Sequence, residues 1–247
     1  MACKLCLKDK KLVRNSHIIP DFMYKDIFDE KHRLYEVTVT KDKNIIKDRL
    51  RQTGGYEGQI LCQSCDNEVL GKLERYARLV LYGGAPKKLQ NRMNDKGMKY
   101  TLCEEIDYTK FKLFLLSLLW RASISKLPIF KNVNLGPHED KIRQMILNSN
   151  PENPNKYPCV MASYRNLKDA PHQFIGQPGL VKDSDGFRYL FLIGGVLYIF
   201  YVSHHNIPAW VDECAINSNG ELKLLHMTKK GASAAFKNFI GVDLLNN

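Results

Sequence analysis

Cys3-Lys4-Leu5-Cys6, then Ser16-His17-Ile18-Ile19-Pro20, then Leu61-Cys62-Gln63-Ser64-Cys65-Asp66-Asn67: these three runs in the first quarter of the chain decide how the remainder is read. Two cysteines three positions apart at a tight turn can place both sulfurs ~2.3 Å from one Zn2+. A single such pair is equally compatible with redox chemistry. The second pair favours a metal, because four thiolates complete a tetrahedral structural site. Cys3, Cys6, Cys62 and Cys65 are therefore expected to hold one structural zinc. His17 falls between the pairs on a short apolar strand, where alternation gives its side chain a defined face. Taken alone, it is compatible with a satisfied structural histidine or an additional zinc ligand.

Outward from these runs, Leu12-Val13, a turn at Arg14-Asn15 and His17-Ile18-Ile19 read as a short hairpin within residues 8–19. Pro20 ends it, and Asp21 is placed to N-cap a helix over Phe22 to Phe28. Arg33 to Thr40 and Asn44 to Leu50 carry strand residues on either side of Lys41-Asp42-Lys43, a second hairpin. Thr53, Gly54, Gly55 and Gly58 make a pliable connection into Cys62. From Cys62 the spacing turns helical, with Val69, Leu70, Leu73, Tyr76, Ala77 and Val80 recurring as far as Tyr82. The second pair then opens a helix, as in treble-clef fingers. Asp66 and Asn67 lie in its first turn, where the positive helix end favours an anion.

The combination of Cys-x-x-Cys, a histidine in Ser-His-Ile-Ile-Pro and Leu-Cys-x-x-Cys resembles the HNH endonucleases of the ββα-metal superfamily over roughly residues 1–80. The resemblance implies that His17 is the general base. It also implies that a divalent cation, Mg2+ or Mn2+, is held just beyond the second pair, by Asp66 with help from Asn67 or Glu57. Family members usually carry Asp where this chain has Ser16, and His or Asn where it has Asp66. Glu57 and Gln59 are what the segment before Leu-Cys offers, and Val69 stands where a basic residue is common. A carboxylate is a hard ligand suited to Mg2+. An active nuclease and an inactive finger that only grips nucleic acid or a protein partner are both compatible with these departures.

After the finger, Lys87 to Lys99 reads as a polar loop or linker, and Thr101 to Glu105 as a short strand. Asp107-Tyr108 opens a strongly apolar helix through Ser125, in which Trp120 and Arg121 are read as packing and a buried partner. A second helix starts at Gly136-Pro137 and stops at Asn148. Cys159 to Tyr164, Phe187 to Ile193 and Val196 to Ser203 are strands, the last two joined at Gly194-Gly195. Leu222 to Met227 is a further strand and Gly231 to Ile240 a closing helix. The expected class is α+β: a treble-clef/ββα-metal zinc finger (1–85) followed by a mixed helix and antiparallel-strand domain (100–247). His204-His205 is a poor bidentate metal site, since neighbours on a strand face opposite ways. Gly-x-Ser-x-Gly, Walker-type and dinucleotide fingerprints are absent.

The bulk numbers set the setting. The chain has 247 residues, a net charge of +11, a pI near 9.2 and a mean hydropathy of -0.33. Such a basic balance attracts polyanions, nucleic acid first; the HNH resemblance implies DNA as the expected form. Seven cysteines are an odd number for disulfides; Cys103, Cys159 and Cys214 are read as buried small apolar residues. No run approaches the ~20 apolar residues a bilayer needs. The first cysteine at position 3 leaves no room for a signal peptide, so a cytoplasmic protein with no membrane partner is expected. The layout of finger plus mixed domain is similar to nuclease subunits of bacterial anti-phage defence systems. That likeness implies a regulatory protein partner or signal acting through the C-terminal region.

Overall fold

The computed structural model describes the chain except residues 26, 32, 40–45, 52–53, 85–87, 169, 171, 185, 203–206 and 241–247; at 35–51 and 238–240 it describes the backbone alone. The expected turn at Lys41-Asp42-Lys43 and the pair His204-His205 lie outside the described residues.

In chain order the first 85 residues contain β1 (Ser16–His17), β2 (Leu34–Val39), β3 (Ile46–Arg51), β4 (Tyr56–Glu57) and α1 (Gly71–Tyr82), the last entered through a π-wound turn, Ser64–Leu70. The expected local hairpin over residues 8–19 does not form. β1 instead pairs antiparallel with β4, with Ser16 opposite Glu57 and His17 opposite Tyr56. The pairing continues outward: Val13 N–H donates to the Leu61 carbonyl at 2.9 Å, and Leu12 bridges Cys62. Gly58 allows the approach, since a Cβ there would sit 2.4 Å from the Arg14 carbonyl oxygen. The helix expected over Phe22 to Phe28 is a single 3-10 turn, Asp21–Tyr24, with no side-chain cap. Asp21 is its first residue rather than its cap, because Pro20, in extended conformation, takes the capping position. β2 and β3 form the expected antiparallel hairpin.

Beyond the finger come β5 (Lys88–Met93), β6 (Lys99–Glu104), α2 (Tyr108–Ile124), α3 (Pro137–Leu147), β7 (Cys159–Ser163), β8 (Phe174–Gly176), β9 (Gly179–Asp183), β10 (Gly186–Ile193), β11 (Val196–Tyr201), α4 (Ala209–Cys214), β12 (Leu222–His226) and α5 (Lys229–Ile240). Of the polar stretch expected as a loop over 87–99, residues 88–99 form an edge hairpin with the strand after them: β5 pairs with β6 around a turn in which Asn94 Oδ1 accepts from the Lys96 and Met98 amides. Every β5 residue is exposed. An edge strand with no buried face has no apolar alternation to reveal it, and its ladder to β6 forms it.

Among the described residues one sheet carries ten strands in the order β3-β2-β8-β10-β11-β7-β12-β6-β5, with β9 alongside β10. It is not purely antiparallel as expected, because β2 runs parallel to β8 and β12 parallel to β7. The β2–β3 hairpin of the first 85 residues thus extends a sheet whose other strands come from residues 88–226.

α2 organises the packing. Asp107 caps it by accepting the Lys110 amide at 2.9 Å, and every residue from Phe111 to Ala122 is buried. A helix apolar on all sides must be covered on all sides. α1 and α3 flank it, and one continuous core joins Ile18, Ile19 and Leu70 of the finger to Phe114 and Leu118 of α2 and Phe191 and Phe200 of the sheet. Cys103, Cys159 and Cys214 are buried, as expected. No helix among the described residues is long and apolar enough to cross a membrane.

A cysteine quartet beside a cleft of His17 and Asp66

The four expected ligands meet. The sulfurs of Cys3, Cys6, Cys62 and Cys65 all lie within 4.8 Å of one another, and Cys6 Sγ is 3.9 Å from Cys62 Sγ. Four ligands at ~2.3 Å on a tetrahedron are ~3.8 Å apart, so the spacing suits a metal ion such as zinc. Two loops bring them together. Leu7, at φ 59°, turns the first knuckle so that its amide donates to the Cys3 carbonyl. Gln59, at φ 63°, turns the chain into Ile60-Leu61-Cys62. The Cys62 amide donates to Cys3 Sγ at 3.3 Å, and Arg143 of α3 holds the Leu5 carbonyl at 2.8 Å.

The thiols are electrostatically unlike. Burial works to raise Cys62, yet hydrogen bonds from Ser64 and the Cys65 amide outweigh it and bring it down to about 6. Burial and neighbouring sulfurs push Cys65 up, and burial raises Cys3. Four sulfurs in so small a space cannot all ionise without a cation among them, and that is the chemistry a bound metal supplies.

One residue beyond Cys65, at Asp66, the chain enters the wall of a cleft of ≈ 440 Å³. His17 enters it from β1, Asp66 and Asn67 from the turn preceding α1, and Asp21, Glu74, Arg75, Arg78 and Arg121 complete its polar lining. His17 and Asp66, 49 positions apart in the chain, therefore face one space because β1–β4 and the cysteine turn hold their two segments side by side. The His17 ring stands edge-on to Tyr56, its Nε2 3.9 Å from Asp21 Oδ1, and about a third of it is exposed. Burial raises the Asp66 carboxyl above its ordinary range; the Ser16 hydroxyl pulls the other way, Glu74 adds to the rise, and Arg121 and His17 oppose it.

Ser16 is fully buried, and its hydroxyl lies beside the Asp66 carboxyl, which it helps hold down against the effect of burial.

Arg121 is buried and paired, as expected, and it also reaches the cleft, which nothing in its local sequence signals. From the last turn of α2, 1% exposed, it donates to the His17 carbonyl at 3.0 Å and to Glu74 Oε1 at 2.6 Å. Its Nε and Nη2 donate to the carbonyl and hydroxyl of Ser117, each at 3.3 Å. The backbone of His17 is thus fastened to the central helix. Glu57 is not brought to the cleft: its Oε2 accepts from Ser125 Oγ at 2.7 Å and from the Lys126 amide at 2.8 Å, closing the end of α2. Glu74, Arg75 and Arg78 carry no signal in the sequence beyond their place on the polar side of an amphipathic helix.

Among the described residues only the cysteine quartet gathers three or more histidine, cysteine or acidic donors. In the cleft Asp66 and Asn67 offer one carboxylate and one amide. Mg2+ commonly takes one or two carboxylates, with waters and substrate phosphates filling its octahedron, and the donor set fits that pattern. Comparisons with family profiles, with curated proteins and with solved structures return no match for this chain.

Proposed function

We propose that the protein is a metal-dependent HNH-like endonuclease that cleaves nucleic-acid phosphodiesters. The observation that carries this reading is the convergence of His17 and Asp66 on one arginine-lined cleft against a four-cysteine metal site. The quartet holds zinc in a closed thiolate shell, a structural role because no coordination position is open to water. The antiparallel β1–β4 ribbon, followed by the helical elements Ser64–Leu70 and Gly71–Tyr82, supports the treble-clef reading.

His17 Nε2 takes the proton from the attacking water, and Asp21 beside it steadies the imidazolium that results. Asp66 and Asn67 are the residues that would hold Mg2+ or Mn2+, which when bound stabilises charge on the phosphate and the leaving oxygen. Arg121 keeps the His17 backbone in place, and Arg75 and Arg78 supply positive charge to the substrate. Nicking of supercoiled plasmid and of single-stranded circles, with Mg2+ or Mn2+ added or withheld, is the test. Activity that is present in the wild type and lost in both His17→Ala and Asp66→Asn supports the assignment; a wild-type rate in His17→Ala removes the base.

A second reading, a finger that binds without cutting, is favoured by the donor set beyond Cys65: among the described residues only the cysteine quartet gathers three or more histidine, cysteine or acidic donors. It requires salt-sensitive binding with no metal-dependent cleavage. In either case the analogy to anti-phage defence nucleases makes the region after residue 100 the place for a regulatory partner, to be sought by co-purification and mass spectrometry.

A further inference from the structure

The cleft at His17 continues into a second depression of ≈ 830 Å³, with which it shares Asp21, Phe22, Arg75 and Arg78. This extension runs along α1 toward its C-terminal end, and Lys25, Phe28, Leu79 and Tyr82 complete its walls. Two chemistries alternate in it. Arg75 and Arg78, one turn apart, and Lys25 opposite are exposed cations with no ion pair or side-chain hydrogen bond among the described residues. Phe22, Phe28 and Tyr82 present partly buried rings, the Phe22 and Tyr82 rings packed edge to face at 5.9 Å. By contrast, Arg33, Arg121, Arg143 and Arg188 each have a carboxylate partner. Free cations left along an aromatic-floored groove are what a ligand with alternating phosphates and planar rings satisfies.

We propose that this groove binds a single strand of nucleic acid and feeds it to His17, with bases against the rings of Phe22, Phe28 and Tyr82 and phosphates on Lys25, Arg75 and Arg78. The proposal rests on the nuclease reading and deepens it by naming the form of the substrate. A duplex keeps its bases stacked inside and has no use for a recessed aromatic floor, whereas an unpaired strand exposes a ring for every phosphate. The length suits a short run: Arg75 and Arg78 lie on the order of 15 Å along the helix from Asp66. At ~3.4 Å per stacked nucleotide that distance accommodates about four.

The test uses the full-length, zinc-loaded His17→Ala protein, so that binding is read without cleavage, and the anisotropy of a labelled 20-nucleotide strand and of its duplex over a salt series. The expected result is single-strand binding about tenfold or more tighter than duplex binding. Arg75→Gln/Arg78→Gln is expected to weaken it about tenfold and to reduce the salt slope by about 1.4, at ~0.7 for each phosphate no longer neutralised. Phe28→Leu, which keeps an apolar side chain, is expected to weaken single-strand binding with the salt slope unchanged. Circular dichroism establishes that each variant is folded. Duplex bound as tightly as the single strand, or unchanged affinity in the arginine double variant, overturns the proposal. Because binding is measured apart from cleavage, a protein that grips the strand but never cuts overturns the nuclease reading and leaves the groove assignment standing.

Discussion

Replacing Arg121 by methionine removes a charge from the centre of the molecule while keeping most of the side-chain volume. In the native protein the guanidinium is 1% exposed and bonded to the His17 carbonyl, Glu74 Oε1, the Ser117 carbonyl and Ser117 Oγ. Hydrogen bonds to charged groups contribute ~1.5–3 kcal/mol each, but a sum over all of them overshoots. Ser117 Oγ keeps its own bond to the Phe114 carbonyl, and Glu74, 27% exposed, regains water. What remains is a buried His17 carbonyl without its donor and a half-buried carboxylate without its cation, a loss of about 3 kcal/mol by comparison with the ~3–5 of broken buried pairs. Glu74→Gln keeps an acceptor for Arg121 and is expected to cost about 1 kcal/mol. The double variant is expected to fall short of the two losses added together by about 1 kcal/mol, because the two side chains touch. Urea unfolding of all four proteins, zinc-loaded and followed by circular dichroism, gives the cycle. If Arg121→Met lies within about 1 kcal/mol of wild type, the guanidinium is not a strut for the cleft, and His17 is held by its β4 pairing alone.

Other expectations are independent of this one. Purified protein should contain one zinc per chain by elemental analysis; Cys62→Ser should lose it together with the ordered finger, and retention of metal and fold would contradict the four-thiolate site. Asp107→Ala should cost about 1 kcal/mol as a lost N-cap of α2. Although burial opposes it, hydrogen bonds from Lys110 lower the Asp107 carboxyl in the folded chain, so its contribution is present above the ordinary aspartate range and is lost as pH falls through the folded value. Burial pushes the Lys112 amine down to about 7, below its ordinary 10.5. Between those values the unfolded chain binds the extra proton, so wild-type stability should rise with pH across that window relative to Lys112→Met, and a flat difference would contradict the burial. Gly58→Ala should force apart the ribbon at the Arg14 carbonyl, 2.4 Å from the new methyl, and destabilise the strand that carries His17; an unchanged melting temperature would show that the loop yields.

Local pattern alone is enough for the features that depend on near neighbours. The x2 spacing of each cysteine pair, the cap and apolar run of α2, the Gly-Pro start of α3 and the Gly194-Gly195 turn between β10 and β11 are each written within a few residues. Pairings between distant segments are not legible in that way. Residues 12–17 look like half of a local hairpin, yet their ladder partners are residues 56–62, because the cysteine quartet brings those segments together and Gly58 lets the backbones close. β5 shows no alternation, since an edge strand exposed on both faces is selected by its ladder rather than by burial. Glu57 has the position of a candidate ligand in the sequence and is claimed instead by the end of α2.

The sequence by itself determined the chemistry on offer: four thiolates, one strand histidine, one carboxylate at a helix start and an excess of positive charge. The tertiary structure alone decided what that chemistry faces. It brought Arg121 from a buried helix onto the carbonyl of His17, moved Glu57 away, and ran the cleft on between Lys25 and the arginines of α1. The reason is physical. Side-chain period reports which face of an element is buried, but which buried or charged group meets which is fixed by packing between segments far apart in the chain, and a periodic pattern carries no record of that.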